Sequence, residues 1–193
     1  MAALRSFAWV LGIVAAVAVV GTSAAAVVLR DPDPLVLRGA GVRATVPDED
    51  WRIAPPDYTI EYAVGVGVLG PAVYREDWCA AAAHSSRAFA GFVDREGRTA
   101  RQIAQRWGAA ITRDRIDCSS AGPVTVVASG PGRADADLRV PTGPCNPPRE
   151  HLTVVADGDQ ALILVRDIDV DGALPTSQAE AVLASLRCAS CEE

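Results

Sequence analysis

Asp167-Ile-Asp-Val-Asp171-Gly172 puts carboxylates at positions 1, 3 and 5 of an EF-hand-like calcium loop, with Gly at 6, apolar Leu174 at 8 and a helix-forming stretch behind it. Hard divalent cations take oxygen ligands, which makes Asp167, Asp169 and Asp171 candidate calcium ligands. The match is incomplete, because Pro175 stands at position 9 and Gln178 at position 12, where a bidentate Glu normally closes the shell. The same residues also read as a strand end, with Ile168 and Val170 toward the core and the three Asp toward water. The two histidines, His84 and His151, are the candidate general bases. Asp77, Ser85, Ser86 and Arg87 lie near His84, and a Ser/His/Asp triad is defined by geometry, not chain order. No GxSxG, HExxH or SxxK motif accompanies them, so a hydrolase using His84 or His151 is the rival expectation and not the leading one.

Gly65-Val-Gly-Val-Leu-Gly70 spells GxGxxG, a pattern that cradles a pyrophosphate where a helix follows the glycines. Pro71 and an extended segment follow here, which predicts a Gly-rich hairpin or strand edge. Trp51, Tyr58, Tyr62, Tyr74 and Trp78 carry aromatic rings, most with polar handles, suited equally to a small-molecule groove and to a core.

The elements that must position these residues follow from periodicity. Val42–Val46, Tyr58–Val64, Arg87–Val93, Pro123–Ala128, Ala134–Val140, Leu152–Ala156 and Ala161–Asp169 read as strands, the last two joined by the short turn Asp157-Gly158-Asp159. Leu162-Ile-Leu-Val165 is apolar on both faces, which places it centrally in a sheet covered above and below. Thr99–Ile111 carries Ala100, Ile103, Ala104, Trp107 and Ile111 on one helical stripe. A closing helix runs from Ser177 to about Arg187, opened by the capping box Ser177-x-x-Glu180 and burying Ala179, Val182, Leu183 and Leu186. The fold class is α+β, with a largely antiparallel sheet of about six strands and helices packed on it.

Phe7–Leu29 is an uncharged, Ala/Val-rich run that follows Arg5 and precedes Arg30, Asp31 and Asp33. A helix of that length spans a hydrocarbon core of about 30 Å. The positive-inside rule then puts the rest of the chain outside the cytoplasm. The expected organisation is a cytoplasmic N-terminus (1–6), a single-pass signal anchor (7–29), a Pro-stiffened linker (30–41), an extracytoplasmic domain (42–188) and a tail (189–193). Thr22-Ser-Ala-Ala-Ala26 offers an alternative signal-peptidase site, in which case the domain is secreted. No Cys follows the run closely, so a lipobox is lacking. The chain carries 24 acidic against 18 basic residues, net −6, and contains no Lys. That sign excludes nucleic acid and anionic membrane surfaces as natural partners.

Five Cys (Cys79, Cys118, Cys145, Cys188, Cys191) in an exported domain read as disulfides with one left over. Cys188-Ala-Ser-Cys191 trails the last helix, whereas thioredoxin chemistry needs CxxC at a helix N-terminus. Val46-Pro-Asp-Glu-Asp-Trp51, Tyr74-Arg-Glu-Asp-Trp-Cys79, Ser86-Arg-Ala-Phe-Ala-Gly91, Cys145-Asn-Pro-Pro-Arg149, Asp171-Gly-Ala-Leu-Pro175 and Ala184-Ser-Leu-Arg187 together resemble actinobacterial exported or membrane-anchored domains of unknown function, similar to the Mog1/PsbP-like and LpqN-like domains. The resemblance implies an α/β/α sandwich around an antiparallel sheet and supplies no enzyme. It implies that Cys79 pairs with Cys145, leaving Cys118 for Cys188 or Cys191. The expected function is a non-catalytic, envelope-facing binding or assembly module for a protein, cell-wall component or small molecule. It needs no cofactor, calcium being the one ligand that export favours.

Overall fold

The computed structural model describes residues 33–63, 65–81, 85–115, 124–140, 145 and 147–188. Twelve strands and two helices lie among them: β1 (Leu35–Arg38), β2 (Val42–Val46), β3 (Trp51–Ile53), β4 (Thr59–Ala63), β5 (Val66–Leu69), β6 (Ala72–Tyr74), β7 (Ala88–Asp94), α1 (Ala100–Arg115), β8 (Val124–Ser129), β9 (Arg133–Arg139), β10 (Arg149–Asp157), β11 (Gln160–Asp167), α2 (Thr176–Ala184) and β12 (Arg187–Cys188). Among these residues no helix is long and apolar enough to cross a membrane; the run 7–29 lies outside them.

The two-faced apolar run Leu162–Val165 organises the core. Its strand, β11, is fourth in the seven-stranded order β3-β6-β7-β11-β10-β9-β8, and every neighbouring pair is antiparallel. Ile163 and Val165 join Phe89, Leu152, Val154 and Leu138 on one face, beneath the Ile103, Trp107 and Ile111 stripe of α1. Leu162 and Leu164 join Ala88 and Ala90 on the other, beneath Val182 and Leu183 of α2. Period-2 alternation thus builds two separate apolar layers, each capped by one helix. The hairpin β4-β5 adds Val66 and Val68 to the α1 layer. The small sheet β1-β2-β12 adds Leu37, Ala44 and Val46 to the α2 layer.

The sheet has seven strands where six were expected. The outer strands β3 and β6 are three residues each, too short to show alternation in sequence. β1 lies inside the segment 30–41 expected to be a linker, and it pairs with β2 from Leu35↔Val46 to Arg38↔Arg43. The expected capping box of the last helix does not form. Pro175 is the N-cap of α2, with no side-chain cap bond, and Glu180 turns to Arg133 instead. α2 also ends at Ala184, so Arg187 belongs to β12. A reciprocal cap opens α1: the Thr99 N–H donates to Gln102 Oε1 at 2.9 Å and the Gln102 N–H to Thr99 Oγ1 at 3.3 Å.

Candidate functional site

Three ionisable side chains converge at one end of the central sheet, on the α1 face. Arg87 immediately precedes β7, Glu150 is the second residue of β10 and Asp167 is the last of β11. Glu150 and Asp167 are register partners across neighbouring strands, and the Asp167 N–H donates to the Arg87 carbonyl at 2.9 Å. Glu150 is 2% exposed and Asp167 5%. The Arg87 guanidinium donates from Nη1 to Asp167 Oδ2 at 3.0 Å, and its Cζ lies 3.4 Å from the centroid of the Trp78 ring. Salt bridge on one side and π face on the other fix this side chain in place.

These groups form one wall of an open cavity of about 350 Å³. Tyr58, Thr59, Ile60, Glu61 and Tyr62 line it as well. Cys79 and Cys145, with Cα atoms 5.7 Å apart, are joined by a disulfide. It ties the loop after β6 to the segment before β10 and so holds Trp78 over Arg87. Trp78 Nε1 is buried and has no hydrogen-bond partner among the described residues. Arg166 contributes to the cavity lining too, but its guanidinium donates to the Leu174 carbonyl and Thr176 Oγ1 at the start of α2, both at 3.4 Å.

On the opposite sheet face, beside α2, β9 and β10 carry a charged network that reaches Glu180 of that helix. His151 Nδ1 is 2.8 Å from Asp137 Oδ1, and its Nε2 is 3.4 Å from Asp135 Oδ1. Thr153 Oγ1 donates to Asp135 at 2.8 Å, and Arg133 bridges Asp135 to Glu180. Burial pulls the Asp135 carboxyl upward, but hydrogen bonds from Arg133 and Thr153 outweigh it and hold it below the usual carboxylate range. A hydrogen bond from Arg133 does the same to Glu180. Both imidazole nitrogens therefore face carboxylates, and no hydroxyl or thiol nucleophile is hydrogen-bonded to His151 among the described residues. His84 lies outside them.

Asp167, Asp169 and Asp171 do not converge. Asp167 is held by Arg87, Asp169 by Arg149 at 2.7 Å, and Asp171 is exposed. No group of three or more His, Cys, Asp or Glu positioned for a metal occurs among the described residues. The plain strand-end alternative also needs correcting, because Asp167 is buried in its ion pair with Arg87 and does not face water. The glycines of GVGVLG form the β4-β5 turn, β5 and the bend after it, with positive φ at Gly65 (71°) and Gly70 (56°) and no helix following. Gly65 and Gly67 line a second cavity, of about 380 Å³, with Glu96, Arg98 and Arg106, and Thr59 and Glu61 line both cavities. Hydrogen bonding to Arg98, then its charge, holds the Glu96 carboxyl below its ordinary range.

The five aromatics divide. Trp51 and Tyr74, 5.4 Å apart, are buried in the α2 layer, whereas Tyr58, Tyr62 and Trp78 line the sheet-end cavity. Of the cysteines, Cys79 and Cys145 are brought together, Cys188 lies on β12 opposite Val42, and Cys118 and Cys191 fall outside the described residues. Glu150 was missed from sequence. Its signal is phase: Glu150 shares the α1-facing period with Leu152 and Val154, as Asp167 does with Ile163 and Val165. A carboxylate in the apolar phase of a strand marks a buried charge.

A search of curated proteins gives no match. A solved structure from Bacteroides thetaiotaomicron VPI-5482 is similar over 84% of this chain, with 13% identity and a TM-score of 0.38. The chain spans 50% of that protein's length. Residues 35–190 match the model of DUF8017, a domain of unknown function, and the chain belongs to that family.

Proposed function

We propose that this DUF8017 domain is a non-catalytic binding module, presented on the outer side of a membrane by the segment 7–29 or released there if that segment is cut. Its partner seats in the sheet-end cavity. The observation that carries this is the wall made by Arg87, Glu150 and Asp167, three charges placed in the apolar phase of adjacent strands at a cavity. Buried ion pairs are commonly replaceable by apolar residues of similar volume without loss of stability. Their placement beside a polar opening therefore favours recognition over packing. Both ring nitrogens of His151 face Asp carboxylates, which favours a structural role for that side chain over that of a general base. One helix on each face of an antiparallel sheet accords with kinship to the Mog1/PsbP-like and LpqN-like domains.

A thermal-shift screen of polar fragments against the full chain tests the proposal. Fragments that bind the native state raise the melting temperature by mass action. Ser86→Trp fills the cavity from its rim and is expected to abolish those shifts. Shifts that persist in Ser86→Trp place binding elsewhere and defeat the proposal.

A further inference from the structure

The second cavity is lined from the end of β7, the start of β11, the first half of α1 and the β4-β5 hairpin. Asp94, Glu96, Arg98, Arg106 and Gln160 line it and not the sheet-end cavity. Their charges do not cancel locally. Glu96 Oε2 accepts from Arg98 Nη1 and lies 3.7 Å from Arg106 Nη1, so one carboxylate serves two guanidiniums. Arg106 donates from Nη2 to the Gly65 carbonyl at 2.7 Å, whereas the other N–H groups of Arg98 have no acceptor among the described residues. Two residues earlier the sign reverses. Asp94 pairs with no cation among the described residues, and its Oδ1 accepts from Gln160 Nε2, its register partner on β11. A carboxylate only accepts, so the amide nitrogen is the atom that faces Asp94, and Gln160 Oε1 is turned away from it. That oxygen belongs to a residue 8% exposed and accepts no hydrogen bond among the described residues. Buried acceptors are nearly all paired, and an open one beside a cavity marks the place of a donor.

We infer that this second cavity binds a free α-amino acid with an apolar side chain, its carboxylate on Arg98 and Arg106 and its ammonium on Asp94 and Gln160 Oε1. Both signs on the wall select a zwitterion. A simple amine leaves the surplus guanidinium charge unanswered, a simple acid meets Asp94, and a neutral sugar pairs with neither; an ammonium and a carboxylate on one molecule answer both. Asp94 and Glu96 are two residues apart, at most about 7 Å between Cα atoms, which suits charges borne close together on a small ligand. The cavity, of about 380 Å³, lies at the small end of the roughly 300–1,000 Å³ usual for ligand pockets. Phe92, Ile103 and Trp107 give it an apolar part, and Leu69, which also lines it, is 63% exposed and gains by being covered. The turn that presents Arg98 is held in place. The Arg98 N–H donates to the Arg95 carbonyl at 2.8 Å, and Arg95 Nε donates back to the Arg98 carbonyl at 3.0 Å, so little ordering remains to be done on binding.

Isothermal titration of the full chain in nanodiscs with L-leucine, 3-methylbutylamine and 4-methylpentanoate separates the three charge patterns. Leucine is expected to bind. Each analogue lacks one charged group and is expected to bind at least about tenfold more weakly, the scale of one charge-assisted hydrogen bond. Asp94→Asn and Arg98→Gln change side chains at the surface and keep the fold; each is expected to weaken leucine by at least about the same factor. Ser86→Trp, which fills the other cavity, is expected to leave leucine binding unchanged. No binding of leucine at millimolar concentration, an analogue that binds as tightly as leucine, or affinity unchanged in Asp94→Asn or Arg98→Gln overturns the inference. So does loss of leucine binding in Ser86→Trp, which would move it to the sheet-end cavity. The fragments that probe the sheet-end cavity carry no paired ammonium and carboxylate, so the failure of either site leaves the other standing.

Discussion

Gly91 sits on β7 where the β4-β5 hairpin lies down on the sheet, and Gly91→Ala tests that contact. A Cβ there meets Val68 Cγ2 at 2.0 Å, Val68 Cβ at 3.2 Å and Val68 Cγ1 at 3.4 Å. Carbon atoms at rest are about 3.5–4.0 Å apart, so the closest methyl must retreat by well over an ångström. Val68 is 1% exposed and packed in the α1 layer, so it has no room to retreat alone; the hairpin lifts with it. Overpacking of this kind costs about 1–3 kcal/mol. The sign is decisive, because Gly→Ala at a site with space stabilises by about 0.4–1 kcal/mol through the unfolded chain. Val68→Ala removes the 2.0 Å partner, leaving the 3.2 Å approach, which a few tenths of an ångström relieve. The double variant is therefore expected to be less destabilised than the sum of the singles by at least about 1 kcal/mol. Urea unfolding followed by tryptophan fluorescence measures all three. A Gly91→Ala protein as stable as wild type, or strict additivity, refutes the packing described here.

Three further outcomes follow from named contacts. Asp135 and Glu180 have pKa values depressed in the fold, so their contribution is complete above the unfolded carboxylate range near pH 4 and is lost as pH falls through the lower folded values; Arg133→Gln should shallow that acid limb in a pH series of melting curves and cost about 0.5–1 kcal/mol at neutral pH. Replacing Cys79 and Cys145 by Ser opens a loop with a sequence separation of 66 residues and should cost about 2–4 kcal/mol in urea unfolding under matched conditions. Because Arg87 and Arg149 engage the carboxylates of Asp167 and Asp169, the melting temperature of the full chain should be the same in calcium and in chelator.

The central strand was legible because Leu162–Val165 is apolar in both phases, and α1 because its stripe holds the helical period over three turns. Strands β3 and β6 were not, since three residues carry no period and their pairing is decided by the neighbours Tyr74 and Ala88 bring alongside. β1 was hidden by its Pro-rich approach. The capping signal was read at Ser177 and Glu180 but formed at Thr99 and Gln102, because Pro175 starts α2 one residue early and Arg133, distant in sequence, claims Glu180. The site is tertiary in origin. Arg87 was visible only as a neighbour of His84, and nothing local says that Glu150, Asp167 and Trp78 meet it. Only antiparallel pairing of β7, β11 and β10 brings their ends together.

Amide chemical-shift mapping of the full chain, titrated with the fragments that stabilise it, tests the cavity most directly. Perturbations concentrated at Tyr58, Ile60, Tyr62 and Ser85–Arg87, which line the sheet-end cavity and not the other one, and absent from Glu96–Arg106 and from the His151 face, are the result expected. Perturbations confined to either of those two places would contradict the assignment of the binding site to the sheet end.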